Sequence, residues 1–432
     1  MSRKSRYLLV LACFIIFLIL SPVIVLYVRG VVFDFDKNQF VQTGVLAVRT
    51  EPKTVNIFLD GELKKEESGN IKFLKPKEYQ IELKKQGYFD WSKRLSVASG
   101  QVTWAQGAFE KIYLLKNSSV TETIEQKVLD FYQNDTTLFF LTTTSFNIYP
   151  LSQPEEKQSF ALNTAPNEFL ENFQNKLFLL KNAGDTISLF DANNSTSTDL
   201  SGLFPQRADF KFDSDGGLLA LENQNLYKVN YKNPGELSKT LLMSGIEAYA
   251  TKDGDLYYVK PQNGKNSLFV SKSPYNQEFK LAEGLPEFNK AEIIVNFNKE
   301  IFLVADENLY QITNKPVKFA SNVTSWNFGT DQSTLIFTAL GELFSFNHKT
   351  NKEAQLITRG QKPLQNLVLQ QNINCALASK ENSILALELD TRDHQNSYKL
   401  YEGAAPVKFS LDKAGKRLIL LEQNALKQLL VQ

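Results

Sequence analysis

The chain has 432 residues, 43% hydrophobic and 22% charged, the balance of a folded protein with room for two or three domains. Its 48 basic and 47 acidic side chains leave a formal charge of +1, which argues against the basic surface that a nucleic-acid-binding protein needs. Two cysteines, Cys13 and Cys375, and two histidines, His348 and His394, stand far apart. Zinc-ligand spacings and Cys/His nucleophile motifs are therefore absent from the sequence.

Residues 7–28 read YLLVLACFIIFLILSPVIVLYV, with no charged residue, long enough as a helix to cross the roughly 30 Å hydrocarbon layer of a bilayer. Arg3, Lys4 and Arg6 precede the run and Arg29 follows it. This bias expects residues 1–6 in the cytoplasm and residues 29–432 outside. A cleaved signal peptide is the rival reading, but the run exceeds the roughly 7–15 residues of a signal core and no small-x-small site follows. The sequence therefore favours an uncleaved signal anchor. Because Cys13 lies inside the span, an intramolecular disulfide with Cys375 is not expected. Tyr27, Phe33 and Phe35 are candidates for the membrane interface, where amphipathic rings collect.

After a connector at 29–43, residues 44–117 alternate in the strand period: GVLAVRT, TVNIFLDG, NIKFL, EYQIELKKQGY, KRLSVASG and KIYLL. Turn formers such as Asp60-Gly61, Pro76-Lys77 and Ser99-Gly100 separate them, which predicts a small antiparallel sandwich of six strands. The order TEPKTVNIFLDGE, then LKPKEYQIELKKQGYFDWSKRLSV, resembles a PEGA domain. Thr54-Val55 stands where the name-giving Gly-Ala would be, and Lys77 where Gly is usual. Both departures fall in turns. The resemblance implies a non-enzymatic extracytoplasmic module of envelope-associated proteins. Tyr88, Phe89, Trp91 and Trp104 offer either a carbohydrate-stacking platform or core filling. Core filling is favoured because aromatic rings dominate burial in a domain this small.

Beyond Asn117 the chain repeats itself. Apolar quartets start at 138 (LFFL), 177 (LFLL), 218 (LLAL), 256 (LYYV), 301 (IFLV), 335 (LIFT), 375 (CALA) and 418 (LILL). Their spacing brackets the roughly 40–45 residues of a four-stranded propeller blade. The quartets do not alternate, as strands buried on both faces do not. Each is followed by a turn and a second apolar run, and preceded by a leading strand such as DFKFDSDGG or VKFSLDKAG. More polar outer strands complete the repeat.

The eighth repeat stops at Gln432 without an outer strand, whereas SVTETI at 119–124 precedes the first leading strand. Pairing this spare strand with LKQLLVQ would close a ring over residues 118–432 and remove an exposed edge. The expected fold is thus all-β after the anchor: a small sandwich, then a propeller of eight blades, with seven as the alternative. Turns such as FKFDSDGG and FSLDKAGKRL are similar to those of Tol-type and WD-repeat propellers, a resemblance that speaks for fold rather than function.

Little here points to chemistry. Asp213 and Asp215, and Asp253 and Asp255, resemble fragments of a calcium loop but lack its bidentate Glu, and turn chemistry explains them equally well. Sequons at Asn117 and Asn194 are expected by chance. No catalytic, cofactor or metal site is read from the sequence, and no ligand-binding residue can be named. The expected function is a single-pass, membrane-anchored extracytoplasmic scaffold that recognises an envelope protein or glycan through its propeller. The alternatives are an exported enzyme with its site in the central channel, which a cluster of charged residues there would favour, and a purely structural envelope component.

Overall fold

The computed structural model describes the chain except residues 1–2, 36–37, 108–109, 118–120, 205–207, 233–235, 330–332, 348–352, 361–363 and 405–407. His348 lies outside the described residues. The chain divides into two compact units, residues 1–118 with 387–398 and 432, and residues 119–386 with 399–431.

In the first unit a helix spans Arg3–Val28. Its segment Val10–Val28 has a mean hydropathy of 2.9 and no buried residue, so its length and composition suit a membrane span. Gly30, at φ +71°, ends it, and its amide donates to the Tyr27 carbonyl. A left-handed residue just past the last turn is the usual helix stop. The expected connector is a hairpin, Val31–Asp34 paired antiparallel with Gln39–Gln42.

The sandwich then stacks one four-stranded sheet, in the order Glu62–Glu67, Thr54–Leu59, Lys77–Lys84, Trp91–Val97, against shorter pieces. Its alternating side chains meet in a core of Leu46, Val48, Ile57, Ile81, Leu83 and Trp91. The expectation of a wholly antiparallel sandwich needs correction. Val102–Trp104 pairs parallel with Gly44–Val48, and Ile112–Tyr113 parallel with Thr50–Glu51. Alternation reports which face is buried, not strand direction. More than fifty residues separate each parallel pair, ample for the crossover that parallel pairing requires.

Residues 387–398 fold with this first unit. Lys93, fully buried, donates to the carbonyls of Asp390, Arg392 and His394 at 2.7, 3.0 and 2.8 Å. Its ammonium also lies 3.3 Å from the Glu388 carboxylate. Trp91 Nε1 and Asn396 Nδ2 donate to that carboxylate, and Arg392 donates to the carbonyls of Trp104 and Ala105.

Among the described residues the second unit contains eight four-stranded sheets, numbered here as blades 1–8, the arrangement of an eight-bladed propeller. The apolar quartets form the second strands, from Thr137–Thr142 in blade 1 to Arg417–Glu422 in blade 8. Leu138, Phe140, Leu179, Ala220, Val259, Ile336, Leu377 and Leu420 on these strands are all almost fully buried. Both faces are covered because each core is shared by neighbours: Phe139 and Phe146 of blade 1 pack with Phe178 and Phe190 of blade 2. Thr121–Glu125 pairs antiparallel with Ala425–Leu430 and supplies the outer strand of blade 8. Val128, Phe131 and Phe140 of blade 1 pack with Ile419 and Leu426 of blade 8.

Hairpins between second and third strands use two residues at positive φ: Asn223 and Gln224, Asp306 and Glu307, Gln423 and Asn424. These are mirror-image turns that match strand twist.

Candidate functional site

The first strand of every blade forms the inner edge of its sheet, with one side of its backbone unpaired by any strand. Open edges of this kind need partners, and side chains of neighbouring inner strands provide several. Asp130 of blade 1 accepts from the Phe169 amide of blade 2 at 2.8 Å. Glu171 of blade 2 accepts from the Phe212 amide of blade 3. Lys211 of blade 3 donates to the Tyr249 carbonyl of blade 4 at 3.0 Å, and Thr251 of blade 4 donates back to the Phe212 carbonyl at 2.6 Å. Asn327 of blade 6 accepts from the Leu369 amide of blade 7 at 3.1 Å.

Charged side chains thus gather around the space that the inner strands enclose. Lys408 of blade 8 donates to Asp130 Oδ1 at 2.6 Å. Glu171 and Glu292 each lie within electrostatic reach of Asp209 and Lys211. Burial pushes the Glu171 carboxyl up to about 7, against the pull of the Phe212 amide and Lys211. The Glu292 carboxyl is also raised, first by burial and then by Asp209, with Lys211 opposing. Glu292 still touches solvent. The shift arises because protein flanks it and restricts the water that would stabilise its charge.

Where blades 8, 1 and 2 converge, a cleft of about 410 Å³ opens between Gln133, Leu170, Glu171, Asn172, Lys408 and Ser410, with Phe131 and Phe169 in its wall. Both polar atoms of the Gln133 amide are buried and have no hydrogen-bond partner among the described residues. An orphaned amide costs on the order of 1–3 kcal/mol per group, so this one stands out against the satisfied inner edges around it. The cleft offers a carboxyl near neutrality and a lysine already neutralised by Asp130, with the buried, unmet Gln133 amide in its wall.

Two of the aspartates of the calcium-loop fragments, Asp213 and Asp255, are engaged otherwise. Asp213 Oδ1 accepts from the amides of Asp215 and Gly217 at 2.9 and 2.6 Å, closing its own turn. A Cβ at Gly217 would sit 2.3 Å from that carboxylate, so the glycine permits the turn. Asp255 pairs with Lys299 at 3.0 Å. Asp412 and Asn296 close equivalent turns in blades 8 and 5. Among the described residues, no group of three or more His, Cys, Asp or Glu could hold a metal ion. Cys13 is exposed and Cys375 buried.

Two of the aromatic candidates of the sandwich, Trp91 and Tyr88, serve its packing. Trp91 is buried and donates to Glu388, and Tyr88 packs against the core. Phe89 lies 5.3 Å from the Tyr398 ring, and the Arg49 guanidinium sits over Trp104.

Sequence reasoning did not single out Gln133, Glu171 or Lys93. Lys93 had a signal, because it stands in the inward register of Trp91, Leu95 and Val97, where a charged residue demands a partner. Gln133 and Glu171 had none, since convergence of three blades separated by hundreds of residues is invisible in one strand.

Comparison with curated proteins gives no match. Among solved structures, the Dos1 propeller is similar at a TM-score of 0.50 and 10% identity, covering 71% of this chain and 94% of that one. A structure described as the eukaryotic initiation factor is similar at a TM-score of 0.50 and 12% identity, covering 71% and 84%. At such identities the likeness shows the fold alone. Residues 43–112 match the PEGA domain; the chain therefore joins an N-terminal apolar helix and a PEGA domain to a propeller-like array of eight sheets.

Proposed function

We propose that this protein is a membrane-anchored, extracytoplasmic binding protein of the cell envelope, and that it takes a neutral, hydroxyl-bearing ligand such as a glycan segment in the cleft at Gln133. The helix anchors it, with the N-terminus in the cytoplasm as the flanking charges favour. The PEGA domain acts as a spacer, and the sheets hold the inner strands rigid around the cleft. A binding or scaffold role suits this architecture, in which a rigid frame presents a polar surface.

The orphaned Gln133 amide carries the ligand reading. Turned into the cleft, that amide would meet a partner that both accepts and donates over adjacent atoms, as neighbouring sugar hydroxyls do. Lys408 is matched by Asp130 and Glu171 is poised near neutrality, so the cleft favours an uncharged ligand over an anion.

Co-sedimentation of the full chain in detergent with isolated cell-wall glycan, and separately with envelope proteins of its host, tests this. Retention on glycan that falls at least about tenfold in Gln133→Leu supports it, such a loss being the worth of one or two hydrogen bonds to a buried group. Retention on protein alone, or unchanged retention of the variant, overturns the glycan assignment.

A second reading is an exported glycan hydrolase. It is favoured by Glu171, whose elevated carboxyl is suited to donate a proton, with Asp209 nearby as a further carboxylate. Release of reducing sugar from the same glycan, abolished in Glu171→Gln, would decide for it.

A further inference from the structure

We infer that the hairpin after the helix, together with Phe73 of the PEGA domain, forms a second membrane contact that lies in the phospholipid headgroup layer. The inference rests on the reading that Val10–Val28 spans the bilayer. Those 19 residues rise about 28 Å as a helix, close to the roughly 30 Å of hydrocarbon. The chain therefore leaves the hydrocarbon at Val28, and the hairpin begins three residues later at Val31. The headgroup layer is only about 5–8 Å deep on each side, which puts the hairpin's first residues within it.

The side chains are those of an interface rather than of a soluble surface. Phe35 is 86% exposed and Phe40 64% exposed. Both rings meet Phe33 edge-on, at 5.1 and 5.2 Å between centroids. Of the three phenylalanines gathered on this hairpin, Phe33 is half-buried while Phe35 and Phe40 face solvent.

Phe73 adds an independent observation. Its backbone sits at φ +60°, a conformation that costs a bulky residue on the order of 1–3 kcal/mol and survives only where surroundings impose it. In that conformation its ring stacks on Tyr27, in the last turn of the helix, at 4.8 Å. Lys72, its neighbour in the strand, is an exposed cation, and Arg29 follows the helix. Aromatic rings with basic neighbours suit the headgroup layer, where rings meet the acyl boundary and cations meet phosphates. The hairpin is also held in place: Lys75 donates to the buried Asp34 at 2.6 Å, and the Thr43 hydroxyl donates to the Gly30 carbonyl at 2.6 Å.

The test uses the full chain reconstituted in vesicles of phosphatidylcholine and phosphatidylglycerol, with Phe35→Trp and Phe40→Trp as reporters and Leu18→Trp as the mid-helix control. Wild-type emission from the native tryptophans is subtracted. Lipids brominated near the headgroup end should quench Phe35→Trp and Phe40→Trp, with a blue shift relative to aqueous tryptophan. Lipids brominated near the methyl end should quench Leu18→Trp instead. A quenched Leu18→Trp beside unquenched hairpin reporters overturns the second contact and leaves the anchor standing. If Leu18→Trp is also unquenched, the spanning reading fails and the second contact fails with it.

Discussion

Glu171 shows how much one residue depends on neighbours far away in sequence. Burial holds its carboxyl near 7, so between its ordinary value near 4.5 and 7 the folded state binds a proton that the unfolded chain has released. Stability then falls as pH rises through that window, because the native state must either keep the proton or bury a charge. Glu171→Gln removes this dependence. Thermal melts of the two proteins should differ little at pH 4 and diverge up to pH 8, with the variant more stable by up to about 3 kcal/mol. A constant difference across the range would show that Glu171 is not desolvated. Lys93 makes the converse case, since its burial is repaid by three carbonyls and a carboxylate. Lys93→Met leaves those acceptors stranded, and a loss of about 3–5 kcal/mol is expected. Amide exchange should accelerate first in residues 389–396, and unchanged protection there would contradict the role assigned to Lys93.

At the scale of elements, the strand pattern in the sequence was legible wherever burial alone set it. All eight apolar quartets are second strands because a strand between two blades must be apolar on both faces. The parallel pairs of the sandwich were not legible, because alternation carries no information about direction. Nor was the hairpin at 31–42, whose strands are four residues each and whose alternation is too short to register. The turns follow a simple rule. An Asx side chain after the inner strand, as at Asp213 and Asp412, captures amides two to five residues on, which explains the recurrent Asp in these loops without a metal.

For the whole molecule, the decisive element is Thr121–Glu125, which completes blade 8 from the other end of the array. Each interface core is shared by two blades, so an opened blade 8 exposes the face it presents to blade 1. Deletion of 118–125 should lower the melting temperature of residues 126–432 as a single transition, by roughly 5–10 °C for the loss of a paired strand. An unchanged transition would refute the closing role. The inner edges work to the same end, since side chains such as Asp130, Glu171 and Asn327 bind the neighbouring blade's free amides.

The membrane-length helix, the PEGA domain and the eightfold repeat were legible in the chain alone, because each is written in local hydrophobic pattern and in turn residues close along it. The charged inner cleft was decided only by tertiary structure. Gln133, Glu171 and Lys408 come from three blades and from both ends of the array, and their meeting depends on ring closure. The same holds for Lys93, whose partners lie almost three hundred residues away and become partners only when residues 387–398 fold with the sandwich.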